Sequence, residues 1–235
     1  EHLKFCCVSH TFDASCTSFV DPDNVGADGV PQAPMELVNP TSAVSEEGLL
    51  VVAGNWDDVK GLRAFSGSGE IGREVGVYDS RLMCWLSRPM LRARRLPEQL
   101  PERVASTCIA FVQGRLVVAG GQSTKRRPPG NEAHYQPLLS SSNCFAWDGS
   151  AALWEQLPPM PVPTQDAAYG VIGARLYVVG GTHAPDAAGK GRPRELTTLQ
   201  ILDMDTRSWS RGPDLDALVE MSPKASSTMH GSREW

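Results

Sequence analysis

Short apolar runs rich in β-branched residues, each closed by glycine, recur along the chain. Gly48-Leu-Leu-Val-Val-Ala-Gly54, Gly114-Arg-Leu-Val-Val-Ala-Gly-Gly121 and Ala174-Arg-Leu-Tyr-Val-Val-Gly-Gly181 share one pattern. Each reads as a turn followed by a strand buried on both faces, because its apolar residues run consecutively. Downstream of each run lies an aspartate and, six positions later, a tryptophan: Asp79 and Trp85, Asp148 and Trp154, Asp203 and Trp209. A proline step follows, at Pro89-Met90, Pro159-Met160 and Pro213. Successive tryptophans are 69 and 55 residues apart, while the Asp-to-Trp interval never changes. Fixed spacing inside the motif and variable length between strands describe one repeated unit carrying loops of different size. A different period opens the chain. Phe5, Val8, Phe12 and Cys16 form one stripe of an amphipathic helix within residues 1–20, and the polar stretch 21–40 reads as a linker.

The repeated unit resembles the kelch repeat: a diglycine strand, a Tyr-Asp-like strand end, a spaced Trp, then Pro-Met. Tyr78-Asp79, Trp147-Asp148 and Leu202-Asp203 fill the second element, and the first unit departs from the pattern with Gly54-Asn55 in place of the diglycine. The resemblance implies an all-β, kelch-type β-propeller of about three complete four-stranded blades, an incomplete ring preceded by a short helix. The blades occupy 41–235, with units centred on 48–90, 114–160 and 174–213. A partial fourth unit lies at 224–235, where Lys224-Ala-Ser-Ser-Thr228 matches Val104-Ala-Ser-Thr107. Three units fall short of a ring, so the chain is expected to be a fragment of a longer propeller. Gly54, Gly120, Gly121, Gly180 and Gly181 are expected where backbones crowd. The aspartates should accept turn amides. The indoles should fill the wedges between blades, with Trp154 of the middle unit flanked on both sides.

Composition narrows the function. A net charge of -5 provides no global basic field for nucleic acid. The longest clean apolar stretch, Leu49 to Ala53, is far too short to span a bilayer, and no signal peptide is visible. Six irregularly placed cysteines do not form a secreted disulfide framework, and Asn39 is followed by Pro40, which blocks glycosylation. Both point to an intracellular, cytoplasmic or nuclear, location.

Several strings invite a chemistry that their context does not support. Gly67-Ser-Gly-Glu-Ile-Gly72 matches a dinucleotide fingerprint, but residues 73–78 read as a strand where a phosphate site needs a helix. Cys6, Cys7, His10 and Cys16 do not share a helix face, so no zinc site is expected. Copper, as in the galactose-oxidase family that uses this propeller, would need ligands from Tyr78, Tyr177, His134, Tyr135 and His183, with nothing to fix a Tyr-Cys pair. No spaced Glu, Asp and His run of the iron-dependent specifier proteins and no Gly-x-Ser-x-Gly elbow occurs. The expectation is no cofactor, no metal and no catalysis.

Leu3 to Phe12 resembles the last helix of an F-box, with its Cys-Val-Ser-x-x-Phe core. Together with kelch repeats, this implies the substrate-recognition adaptor of a cullin-RING ubiquitin ligase, whose head helix docks on a Skp-family linker. In the kelch family, residues just after the diglycine and those entering the next blade line the binding face. Here these are Asn55, Trp56, Asp57, Gln122, Ser123, Thr182 and His183, with Arg103 and Gln165 from the entering loops. Arg126, in the basic loop Lys125-Arg126-Arg127, joins them as a grip for an acidic or phosphorylated segment of a protein partner. The alternatives are a galactose-oxidase-like or sugar-processing enzyme, and a structural kelch protein on cytoskeletal filaments. Fold alone does not choose among them.

Overall fold

The computed structural model describes residues 37–57, 70–124, 138–184 and 193–215. The head helix, the linker up to residue 36, the Arg126 loop and the partial fourth unit lie outside them. The first blade contains β1 (Leu37–Val44), β2 (Leu49–Asp57), β3 (Glu70–Ile71), β4 (Gly76–Asp79) and β5 (Cys84–Trp85), followed by the short helix α1 (Arg88–Ala93). The second contains β6 (Cys108–Val112), β7 (Arg115–Ala119), β8 (Gln122–Thr124), β9 (Leu138–Ser140), β10 (Cys144–Asp148) and β11 (Leu153–Leu157). The third contains β12 (Ala168–Ile172), β13 (Arg175–Val179), β14 (Thr182–His183), β15 (Arg194–Glu195), β16 (Leu199–Asp203) and β17 (Ser208–Arg211). The main sheets are antiparallel in the orders β1-β2-β4-β5, β6-β7-β10-β11 and β12-β13-β16-β17, so three blades are present among the described residues. In blades two and three the second strand breaks at the diglycine, and a small ribbon, β8–β9 or β14–β15, starts beyond it. In blade one β2 runs unbroken through Gly54 and Asn55 to Asp57. The unit without a second glycine is the one whose strand continues.

The first strands of the blades meet, with β6 against both β1 and β12. Tyr169 of β12 reaches blade one: its hydroxyl lies 2.7 Å from Thr41 Oγ1 and donates to the Ser42 carbonyl at 3.1 Å. Successive strand residues point to opposite faces, so each blade contributes to two cores. Val51, Val77 and Leu100 of blade one and its connector pack with Ile109 and Val118 of blade two. Ala110, Val117 and Ala146, on the other face of blade two, pack with Leu176, Val178 and Leu202 of blade three. Strands β2 and β7 are buried on both sides, as their apolar runs predict, but β13 is not. Its Leu176 and Val178 are buried, whereas Tyr177 and Val179 on the far side are half-exposed. Ile172 is 70% exposed where the matching Val112 of blade two is 0% exposed. On the outer face of blade one Leu50 and Val52 form a buried cluster with Tyr78 and Trp85, whereas none of the described residues covers the corresponding face of β13.

The constant Asp-to-Trp interval has a local cause. Asp79 Oδ1 accepts from the amides of Arg81 and Leu82, at 2.8 and 3.1 Å. Asp148 does the same with Ser150 and Ala151, and Asp203 with Asp205 and Thr206. In each turn the fourth residue after the aspartate, Met83, Ala152 or Arg207, takes a positive φ (56°, 53° and 51°). The turn therefore has one length, which sets where the tryptophan falls.

The tryptophans bridge blades, but toward one side only. Trp154 Nε1 donates to the Gln99 carbonyl of the preceding connector at 2.9 Å, and Trp209 Nε1 donates to the Pro158 carbonyl at 2.9 Å. Trp154 packs against the core shared with blade one, not between two blades as its middle position predicts. Strand alternation puts Trp154 and Leu157 of β11 on opposite faces, and Leu157 packs in the core shared with blade three, so the indole occupies only the wedge behind it. Trp85 packs edge-on against Tyr78 with ring centroids 5.5 Å apart.

Trp154→Ala and Trp209→Ala should each lower stability by about 3 kcal/mol, the low end for a large aromatic because both indoles keep some exposure. Trp154→Phe should cost less, losing chiefly the bond to Gln99. Urea unfolding checks both, and a Trp154→Ala loss far above that of Trp209→Ala would contradict one-sided packing. The turn aspartates predict an acid limb. Burial raises the Asp79 carboxyl, but Arg94 and the turn amides outweigh it and hold it below its usual 3.8. Asp148 is lowered by the Ser150 hydroxyl and turn amides, and Asp203 by Arg175 and the Thr206 amide. A folded pKa below the unfolded one contributes stability that is complete above the unfolded value and lost as pH falls through the folded value. Urea midpoints should hold from neutral pH down to about 5 and fall below about 4. Replacing all three aspartates by asparagine should flatten part of that fall.

Candidate functional site

The diglycine end of the blades is built from backbone crossing backbone. Gly121 and Gly181 have φ of +100° and +85°, a region that side chains disfavour. A Cβ on Gly121 would lie 2.4 Å from Val104 Cγ2 and 2.7 Å from the Ala105 carbonyl, and one on Gly181 would lie 2.5 Å from the Gln165 carbonyl. The obstruction is the loop entering the same blade, which pairs across the strand end. Ala105 and Gln122 exchange both backbone bonds, as do Gln165 and Thr182. The Gly121 amide also donates to the Thr164 carbonyl at 2.7 Å, joining blade two to the loop that enters blade three.

This crossing brings some of the sequence-selected residues together. Gln165 Nε2 donates to Gln122 Oε1 at 3.2 Å, and Ser140 Oγ lies 3.1 Å from Gln165 Oε1 and 3.2 Å from the Thr182 carbonyl. Gln122 and Gln165 are buried, so their amides form a seam between blades rather than an open contact surface. Ser123 and Thr182 are half-buried beside them, and the His183 ring lies 3.0 Å from the Pro163 carbonyl through Nδ1. Arg103 is exposed in the loop entering blade two. Asn55, Trp56 and Asp57 end β2, with Trp56 opposite Ile71 and Asp57 opposite Glu70. Arg126 lies outside the described residues.

Sequence reasoning missed Ser140, Ser141, Asn143 and Glu102. Ser140 Oγ accepts from the Ala184 amide at 2.8 Å, linking β9 to the end of β14, and Glu102 accepts from Ser141 Oγ and Asn143 Nδ2 at 3.2 and 2.7 Å. A run of serines before an apolar strand reads as loop, and only the β8–β9 ribbon turns it toward the next blade. The Pro89-Met90 step, a bare turn by sequence, opens helix α1. Pro89 sits in its first turn, where a missing amide hydrogen costs nothing.

Of the fingerprint string, Glu70 and Ile71 form strand β3 and the described chain continues as strand β4, so no helix follows Gly72. Tyr78 is buried in blade one and Tyr177 lies in blade three, while His134 and Tyr135 fall outside the described residues. Among the described residues no group of three His, Cys, Asp or Glu side chains is placed to hold a metal, and no helix is long and apolar enough to cross a membrane. Cys84, Cys108 and Cys144 are buried free thiols. Burial pushes Cys108 and Cys144 up to about 12.

Residues 163–215, the third blade with its entering loop, match the model of the Kelch motif. An F-box/kelch-repeat protein of Arabidopsis thaliana is 26% identical over 48% of this chain and 24% of its own length. A Kelch repeat and BTB domain-containing protein 12 of Danio rerio is 26% identical over 49% of this chain and 18% of its own, and its Homo sapiens namesake is 26% identical over 57% and 20%. The matched stretches thus span about a quarter or less of these relatives. With its antiparallel four-stranded blades, the chain is similar to kelch-repeat proteins, and its third blade carries the Kelch motif.

The thiol chemistry is checked directly. In native protein at pH 8, Cys108 and Cys144 should stay unmodified by iodoacetamide, as read by peptide mass spectrometry, and should react fully in urea. Rapid native labelling of either would mean that the core between blades two and three opens.

Proposed function

We propose that this chain is a protein-interaction module that receives its partner on the diglycine face. Arg103 and Arg126 grip an acidic or phosphorylated segment there, and Asn55, Trp56, Asp57, Ser123, Thr182 and His183 border it. The observation that carries the reading is the character of that face. Loop backbones are locked by paired crossings, and its buried polar side chains, Gln122 and Gln165, are spent on each other. Such a frame is rigid and offers loop tips and an exposed arginine, which suits recognition, where a few anchors carry the affinity.

In the finer form of the proposal, the module is the substrate-recognition half of a cullin-RING ubiquitin-ligase adaptor, with residues 1–20 docking on a Skp-family linker. Two kinds of support stand behind it: the Cys7-Val8-Ser9-His10-Thr11-Phe12 match to an F-box end, and relatives named as F-box/kelch-repeat proteins. The buried free thiols suit a reducing compartment, cytoplasmic or nuclear.

Affinity capture from source-cell extract, comparing wild type with Arg103→Ala/Arg126→Ala and with Val8→Asp/Phe12→Asp, tests both levels. The arginine variant should lose the substrate partners and keep a Skp-family protein; the head variant should do the reverse. An unchanged partner set for the arginine variant would remove the diglycine face as the binding surface. Absence of a Skp-family protein from the wild-type capture would sink the adaptor reading.

A further inference from the structure

At the opposite end of the strands, where the aspartate turns lie, the boundary between blades one and two carries a second surface. Helix α1 places Arg88 and Arg92 on its exposed side, with Arg95 just beyond it, while Leu91 is turned into the core. Facing them are Trp147 and Trp154, an edge-to-face pair with centroids 5.4 Å apart. Both indole N–H groups are committed, Trp147 to the Arg95 carbonyl at 2.7 Å and Trp154 to the Gln99 carbonyl at 2.9 Å. The rings are therefore fixed in position and present apolar surface. Between them and the arginines is a groove of about 540 Å³. A second hollow of about 370 Å³ shares Arg95, Leu96 and Trp147 with it.

The charges in this groove do not cancel. Arg92 is held by both oxygens of Glu98, at 2.6 and 3.1 Å, and Arg94 is paired with Asp79. Arg88 makes no salt bridge among the described residues, although its charge acts on Glu98 in the same groove, and Arg95 donates to the Ser150 carbonyl at 2.6 Å. In a chain of net charge -5, three arginines (Arg88, Arg92 and Arg95) against one carboxylate (Glu98) beside a fixed aromatic floor form a local positive site. Guanidinium groups pair with carboxylates, and indole rings accept apolar side chains. So few arginines suit a short acidic segment better than a nucleic acid, which needs many phosphate contacts to bind.

We propose that the groove between α1 and the Trp147–Trp154 pair docks a short acidic peptide segment of a partner protein, its carboxylates on Arg88 and Arg95 and an apolar side chain on the indoles. This surface is separate from the diglycine face and does not depend on the reading given to that face.

The test uses the full chain and a short fluorescein-labelled peptide of alternating Glu and Leu, with the Lys-Leu counterpart and labelled oligothymidylate as further probes. Anisotropy should show saturable binding of the Glu-Leu peptide that weakens with salt, and neither other probe should bind comparably. Measured in the Arg103→Ala/Arg126→Ala background, so that the diglycine-face arginines cannot contribute, Arg88→Glu/Arg95→Glu should weaken binding about tenfold or more, and Arg211→Ala, exposed on blade three away from the groove, should leave it unchanged. Circular dichroism checks the fold. Should the double variant be misfolded, Arg88→Ala, which removes only an exposed side chain, should still weaken binding severalfold. No saturable binding to wild type, equal binding by the arginine variants, or preference for oligothymidylate would each overturn the proposal.

Discussion

A four-stranded blade has two apolar faces and by itself leaves most of that surface uncovered. Everything else in this chain follows from that deficit. The core is consequently not inside a blade but between blades, first where Val51 and Val77 meet Ile109 and Val118, then where Ala110 and Val117 meet Leu176 and Val178. Blade two, covered on both sides, has the completely buried central strand that its apolar run calls for. Blade three carries an equivalent run and leaves Ile172, on β12, at 70% exposure, because burial is a property of the stack rather than of the strand.

Polar groups hold neighbouring blades in one register. Trp154 and Trp209 each send an indole N–H backward to a carbonyl of the preceding connector, and Tyr169 sends its hydroxyl past β6 to blade one. At the turn end, Gln113 donates to Asp205 at 2.7 Å, and Glu155 of blade two accepts from Arg115 of its own blade and Arg207 of the next. Apolar contact would permit some sliding between sheets. These directional bonds do not, since a shifted blade would leave half-buried donors without acceptors.

The two ends of the strands are consequently different surfaces. At the diglycine end, backbone crossings use up the polar groups nearest the axis, and what remains for a partner is loop tip. At the turn end, α1 and the connector after it put arginines beside fixed indoles across a blade boundary. The two ends thus differ in construction, one made of loops on a rigid backbone frame and one made of side chains around a groove.

The local grammar of the fold was legible in the sequence. Aspartate, a turn of one length and tryptophan can be read from spacing alone, because the turn is closed by bonds within a few residues of Asp79, Asp148 and Asp203. The glycines were legible for a related reason: a positive φ beside a crossing backbone admits no side chain, so Gly121 and Gly181 announce the crowding even before the crossing strand is known. What tertiary structure decided is where side chains go once blades stack. Gln122 and Gln165 look like surface residues in a loop, and the seam between blades buries them against each other. Trp154 looks central and is one-sided, since a strand residue points to one face only and that face meets blade one. The groove at Trp147 was invisible, because Arg88 and Arg95 lie more than fifty residues from the indoles they face, and only the packing of one blade on the next brings them together.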